Sequence, residues 1–246
     1  MNTDYAFILS SIAGLSTIIG AFVIFLGKKK TLNFLIGGIS FAAGVMFFLS
    51  LFDLFPESLV FLNNTFNFKV SILISIIFIC TGVCLSIIID KLFPSTFNED
   101  NLYKLGLITM IGIMIHNIPE GIATFITTSE NFNLGLSITI AITMHNIPEG
   151  ISVALPIFYH TKSKKKAFLY TIICAVSEPL GALIAYLFLK PTYLTLGIIY
   201  ASITGIMIYI SMYELFPSVI KYKRYRITYT FYILGLILVL INHFLF

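Results

Sequence analysis

HNIPEG occurs twice in this chain, at His116–Gly121 and again at His145–Gly150. Each copy lies inside a long apolar run, Leu105–Ile126 for the first and Leu134–Phe158 for the second. Two histidines and two glutamates therefore stand where hydrocarbon or buried protein belongs. Ionisable groups at that depth are costly, face a bundle interior or a watery cavity, and are functional positions by default.

Working outward, the composition agrees with a membrane setting. Of 246 residues, 58% are hydrophobic and 11% charged, against about 25% charged in a soluble globular domain. Apolar runs close to the roughly 20 residues needed to cross a bilayer recur along the whole length. They predict an all-α polytopic protein of about eight transmembrane helices, at residues 5–26, 33–55, 70–90, 102–128, 133–159, 167–188, 193–216 and 228–246. Little is left between them, so residues 1–246 are expected to form one transmembrane domain. The run Tyr5–Leu26 lacks a basic leader and a small-residue cleavage site, and is taken as the first span, not a signal peptide. Cys80, Cys84 and Cys174 show no CxxC spacing and are expected to be small buried hydrophobes, neither a disulfide nor a thiolate site.

Charge orients the spans. All but Lys69 and Lys190 of the 15 basic residues fall in the loops after spans one, three, five and seven. These are Lys28–Lys30; Lys91 and Lys104; Lys162 and Lys164–Lys166; and Lys221, Lys223, Arg224 and Arg226. The positive-inside rule puts those loops in the cytoplasm and both termini outside. The same rule accounts for the basic runs as membrane-surface anchors, so no nucleic-acid partner is expected.

The chain also repeats itself. Gly44-Val45-Met46, Ser50 and Asp53-Leu54-Phe55-Pro56 are echoed by Gly205-Ile206-Met207, Ser211 and Glu214-Leu215-Phe216-Pro217, every pair 161 positions apart. Gly20-Ala21 maps onto Gly181-Ala182 by the same offset. Five spans separate the partners, an odd number, so the halves enter the membrane in opposite directions. The expectation is an inverted repeat of spans 1–3 and 6–8 around the central pair 4–5, with the site near the midplane, an arrangement of transporters.

Helical geometry then groups the chemistry. Glu120 lies about 40° from His116 and about 60° from Asn117 around one helix, between the two. One carboxylate can therefore share a cation with the imidazole on one flank and another with the amide oxygen on the other. His145, Asn146 and Glu149 repeat this on the next span. Facing each other, the two helices can offer two adjacent sites bridged by Glu120 and Glu149, one holding His116 and His145, the other Asn117 and Asn146. Pro119 and Pro148 free the carbonyls of Ile115 and Met144 for another partner. Gly121 and Gly150 are expected to let these two helices approach each other closely.

Glu178, before Pro179 in span six, adds a third carboxylate near the midplane; its counterpart at the 161 offset is Thr17. Three buried carboxylates without a buried Lys or Arg call for divalent cations or protons. Mixed imidazole and carboxylate ligation suits zinc and ferrous iron, with manganese and cobalt next, while the absence of thiolates argues against copper(I). Ligands must shed protons to bind, so uptake weakens in acid. Asp53 and Glu57 fall at the external mouth and Glu214 at the cytoplasmic one, where they either concentrate cations or merely flank helix ends. Met46 and Met207 are packing residues on this view, and His160 and His243 are incidental.

These residues resemble the ZIP (Zrt/Irt-like) family of divalent-metal transporters in its bacterial branch. The likeness covers essentially the whole chain: eight spans, termini outside, the paired HNxPEG phrases, and Glu178–Ala182 in span six. It implies a first metal site of His116, Glu120, His145 and Glu149, and a second of Asn117, Asn146 and Glu178 with the same bridging glutamates. It also implies import toward the cytoplasm without ATP hydrolysis, elevator-like or rocking alternating access, and a homodimer. HNxPEG in both central spans implies selectivity broad enough for iron and manganese beside zinc, and cobalt and cadmium belong to the same cation class. Met46 is offered as a counterpart of a metal-contacting methionine. The departure is the connection Phe93–Asn101, which lacks the histidine-rich loop of many members and offers only Glu99 and Asp100. The high Ile, Lys, Asn and Phe content points to a bacterial plasma membrane.

Two other classes stay open at this point. An intramembrane metal-dependent hydrolase would use Glu120, Glu149 or Glu178 as general base on a metal-activated water, although no HExxH or nucleophile motif accompanies them. A proton-coupled carrier of another solute would use the His/Glu pairs as a relay, and would function with metal chelated. Apart from a transported metal, no cofactor is expected.

Overall fold

A chain crossing hydrocarbon must satisfy every backbone N–H and C=O internally, which leaves the helix as the solution for runs like these. The computed structural model describes residues 3–26, 31–92, 102–188 and 192–245. Lys28–Lys30, Lys190, Phe246 and the Phe93–Asn101 connection with Glu99 and Asp100 lie outside the described residues. Among the described residues, eight helices are long and apolar enough to span a membrane: α1 (Thr3–Phe25), α2 (Leu32–Asn63), α3 (Phe68–Leu92), α4 (Leu102–Glu130), α5 (Phe132–Thr161), α6 (Lys164–Phe188), α7 (Tyr193–Ile220) and α8 (Tyr225–Phe244). No strand occurs among the described residues. The molecule is an all-α, multi-pass membrane protein.

Two helices outrun their expected ends. Hydropathy predicts that spans two and seven stop at 55 and 216, beside Pro56 and Pro217, yet α2 continues to Asn63 and α7 to Ile220. A proline inside a helix loses its own hydrogen bond and crowds the preceding turn. Here the ladder widens to a π turn just before each proline, over Ser50–Leu54 and Ile210–Leu215. Phe55 N–H donates to the Ser50 carbonyl and Phe216 N–H to the Ser211 carbonyl, five residues back. That extra residue per turn lets the chain pass the proline without breaking. The two π turns fall on the Asp53-Leu54-Phe55-Pro56 and Glu214-Leu215-Phe216-Pro217 stretches that echo one another in sequence.

Glycines divide the helices into two groups of four. Gly121 of α4 lies against the Glu178 carbonyl of α6, and Gly181 of α6 against the Ile118 carbonyl of α4. Gly20 and Gly150 seal α1 to α5 in the same reciprocal way, Gly44 and Gly235 seal α2 to α8, and Gly82 and Gly205 seal α3 to α7. At each of these positions a Cβ would collide with backbone of the facing helix, so only glycine permits the approach. With Gly14 of α1 on α6 and Gly197 of α7 on α2, the contacts join α1, α4, α5 and α6 on one side, and α2, α3, α7 and α8 on the other.

Between the groups, glycines meet side chains instead: Gly38 of α2 faces Leu155 of α5, and Gly112 of α4 faces Ile210 of α7. The largest apolar core lies along this boundary, with Met46 of α2, Ile113 of α4, Leu155 of α5 and Met207 of α7 all buried in it. Met46 and Met207 thus both pack in this core. The expected approach of α4 to α5 through Gly121 and Gly150 is not what those glycines do. Gly121 lies roughly 140° around the helix from His116, so it serves the α6 contact while the imidazole face turns elsewhere. Cys174 is buried as expected, but Cys80 and Cys84 are exposed on α3, a helix that is only 17% buried and presents its apolar surface outward.

Candidate metal centre

α4 runs unbroken through Pro119 and α5 through Pro148, so each HNIPEG phrase keeps its His and Glu on one helical face. The side chains meet across the α4–α5 contact. His116 Nε2 lies 3.0 Å from Glu149 Oε1 and 3.4 Å from Glu120 Oε1, and His145 Nε2 lies 3.3 Å from the same Glu120 oxygen. The imidazole rings are 6.4 Å apart between centroids. One ligand atom each from His116, Glu120 and His145 falls within 4.8 Å of the others, close enough to hold one ion. Glu149 joins this set through His116.

Although close, several of these atoms are not aligned as hydrogen bonds. His116 Nε2, His145 Nε2 and Glu149 Oε1 have no hydrogen-bond partner, nor do Glu120 Oε2, Glu149 Oε2 and both Nδ1 atoms. Leaving buried polar atoms unpaired costs about 1–3 kcal/mol each, and groups of them in one place need an explanation. His116 and Glu149 are fully buried, and His145 retains only 7% exposure.

Of the remaining predicted residues, Asn146 meets Glu178 of α6 and the backbone of α1, while Asn117 turns toward α6. Asn146 Nδ2 donates to Glu178 Oε2 at 2.8 Å and to the Ala13 carbonyl of α1 at 3.0 Å. Asn117 Nδ2 points to the Cys174 carbonyl of α6 at 3.5 Å. Their acceptor atoms, Asn117 Oδ1, Asn146 Oδ1 and Glu178 Oε1, are buried without partners. The structure thus brings His116, Glu120, His145 and Glu149 together, and places Asn146 with Glu178. Asn117 lies beside α6 with its carbonyl oxygen uncommitted. No Lys or Arg is buried among the described residues, so three buried carboxylates have only imidazoles to offset them.

Three features were not foreseen. α1 takes part through the Ala13 carbonyl, which accepts from Asn146. His243, expected to be incidental, pairs through Nδ1 with Asp53 Oδ1 at 2.8 Å, joining α8 to the π turn of α2. Lys104, counted with the basic residues at the cytoplasmic edge of span four, pairs with Asp90 at 2.6 Å. Both pairs depend on helix neighbours that apolar sequence does not specify.

Residues 94–242 match the family described as ZIP zinc transporter. The chain belongs to the ZIP family. The zinc transporter ZupT of Streptococcus mutans is 39% identical, with 98% of this chain and 97% of that protein covered. The ZupT of Clostridium perfringens is 36% identical over 100% of this chain and 97% of its own, and that of Campylobacter jejuni 37% identical over 89% and 88%. ZIP proteins are transporters, so this chain is not an enzyme and the hydrolase alternative is not favoured.

Proposed function

We propose that this ZIP protein imports zinc into a bacterial cytoplasm through a pair of adjacent metal sites between α4, α5 and α6. The observation that carries the reading is the set of uncommitted ligand atoms on His116, Glu120, His145 and Glu149, sealed from solvent and without a buried cation to balance them. A divalent ion satisfies both deficits at once, and imidazole with carboxylate is a ligand set suited to zinc. Its relatives carry zinc in their names. The second, all-oxygen site uses Asn117, Asn146 and Glu178 with the bridging glutamates. Oxygen ligands there extend the range to manganese and ferrous iron, with cobalt and cadmium accepted by the nitrogen-bearing site.

Movement of the ion follows from the two helix groups. All the proposed ligands stand on α4, α5 and α6, within one glycine-sealed group. The boundary with the other group is made of side chains such as Leu155 and Ile210, which can slide and repack where a backbone contact cannot. Alternating access by displacement of the ligand-bearing group is the mechanism this supports. The matched π turns of α2 and α7 support the inverted repeat. We further propose one transport domain over residues 1–246, both termini outside, residence in the bacterial plasma membrane, and a homodimer, which cross-linking in native membranes tests.

The deciding experiment follows zinc, ferrous iron, manganese and magnesium entry into liposomes holding the purified protein, beside a folded Glu120→Ala/Glu149→Ala variant. Saturable zinc influx, lost in the variant and with magnesium excluded, is the expected result. Equal influx in both proteins removes the paired glutamates from the mechanism, and solute transport that persists with metal chelated returns the weight to a proton-coupled carrier.

A further inference from the structure

Toward the end of the bundle where α3 finishes and α4 begins, α3, α4 and the end of α7 line an open cavity of about 250 Å³. Its charged lining is two carboxylates, Asp90 and Glu214, and two ammonium groups, Lys104 and Lys221. Lys104 Nζ lies 2.6 Å from Asp90 Oδ1, and both side chains are about three-quarters buried, 22% and 26% exposed. This is not a pair dissolved in solvent screening.

The cavity lies along the same face of α4 as the metal centre. Leu105, which lines it, sits roughly 20° from His116 around α4 and about 16 Å along it, three turns away on one face. Between them, Gly112 is closed off by the Ile210 side chain of α7, and the Thr109 hydroxyl is buried without a partner. Under the import reading proposed above, on which this inference rests, this is the cytoplasmic side. A zinc ion leaving the centre therefore arrives between Asp90 and Glu214.

Two carboxylates facing one cavity would hold such an ion instead of releasing it. The lysines change that. With Lys104 and Lys221 present, the four charges balance, and one of the two acids, Asp90, is already paired with an ammonium. Lys104 is carried on α4, in the group that bears the metal ligands, whereas Asp90 and Glu214 belong to α3 and α7 of the other group. We propose that Lys104 is a release residue: a tethered cation that occupies the Asp90/Glu214 pair and prevents the inner mouth from recapturing the transported metal.

The test compares wild type, Lys104→Gln, Lys104→Arg and Asp90→Asn/Lys104→Gln. Bound zinc per chain is measured after dialysis, and zinc influx is measured in liposomes. Lys104→Gln is expected to retain one additional zinc and to transport several-fold more slowly. Lys104→Arg keeps the charge and behaves as wild type. The double variant, which lacks both the lysine and the acid it guards, loses the extra zinc and regains the rate. If Lys104→Gln matches wild type in both measurements, the inference is wrong. If the double variant is as slow as Lys104→Gln, the pair is a structural clasp and the inference is equally wrong. A wild type that carries no zinc sinks the import reading and this one with it, whereas wild-type transport with Lys104→Gln unchanged sinks this one alone.

Discussion

Glu120 stands between two imidazoles, with one oxygen 3.4 Å from His116 Nε2 and 3.3 Å from His145 Nε2 and the other without a partner. A group placed this way serves both imidazoles at once, and under the proposed two-site reading its loss removes a ligand from each site. Outer-shell partners of a metal are worth roughly 10–100-fold in affinity, and a bridging ligand exceeds that. Glu120→Gln and Glu149→Gln are therefore expected to weaken zinc binding by more than about 100-fold. Asn146→Ala removes a ligand of the second proposed site only and leaves the His116/His145 site to bind, where Asn146 acts as an outer-shell group, so its loss should stay within about 10–100-fold. Zinc titration of the detergent-solubilised protein measures each, and equal losses for all three would remove the distinction between bridge and flank. The sign of the pH effect follows from the same ligands. Imidazole and carboxylate bind metal only after releasing protons, so zinc affinity falls as the medium is acidified and recovers on neutralisation.

At the scale of the helix, what separates one glycine from another is whether it faces backbone or a side chain. Gly121 meets the Glu178 carbonyl, which cannot move without shifting all of α6, while Gly112 meets the terminal methyl of Ile210, which can rotate away. Gly121→Ala is expected to destabilise the protein by about 1–3 kcal/mol, the usual cost of overpacking. Gly112→Ala should lose less than about 1 kcal/mol but slow transport, because it thickens the boundary between the helix groups. Thermal unfolding in detergent and liposome flux together separate the two effects; similar melting losses in both variants would count against the division into groups. This difference was not legible in the sequence. The eight spans were, because hydropathy alone sets them, and so was the convergence of His116, Glu120, His145 and Glu149, because helical periodicity fixes which side chains share a face. Which helix lies behind Gly121, and that Asp53 meets His243 or Asp90 meets Lys104, depends on packing among helices whose apolar surfaces look alike. The ends of α2 and α7 escaped for a related reason. Pro56 and Pro217 are stop signals in isolation, and only the preceding π turns turn them into continuations.

For the whole molecule, the division into α1, α4, α5 and α6 against α2, α3, α7 and α8 makes a claim about which links can be frozen without stopping transport. Ser58 Oγ of α2 and Ser75 Oγ of α3 lie 3.1 Å apart inside one group, so cysteines there can be joined with little strain. Across the boundary, Ile210 Cγ1 lies 3.3 Å from where a Cβ on Gly112 would sit, which brings a cysteine at each position within disulfide reach. In a background with Cys80, Cys84 and Cys174 replaced, oxidised Ser58→Cys/Ser75→Cys should carry zinc at close to its reduced rate. Oxidised Gly112→Cys/Ile210→Cys should fall to background and recover when the bond is reduced. The comparison distinguishes mechanisms because a rigid channel needs no relative motion of the groups. Such a channel would conduct in both oxidised proteins as long as the route past Ile210 stayed open. Arrest confined to the cross-boundary pair, reversible by reductant, is what displacement of the ligand-bearing group requires; undiminished flux through that oxidised pair would leave the two helix groups as architecture with no part in moving the ion.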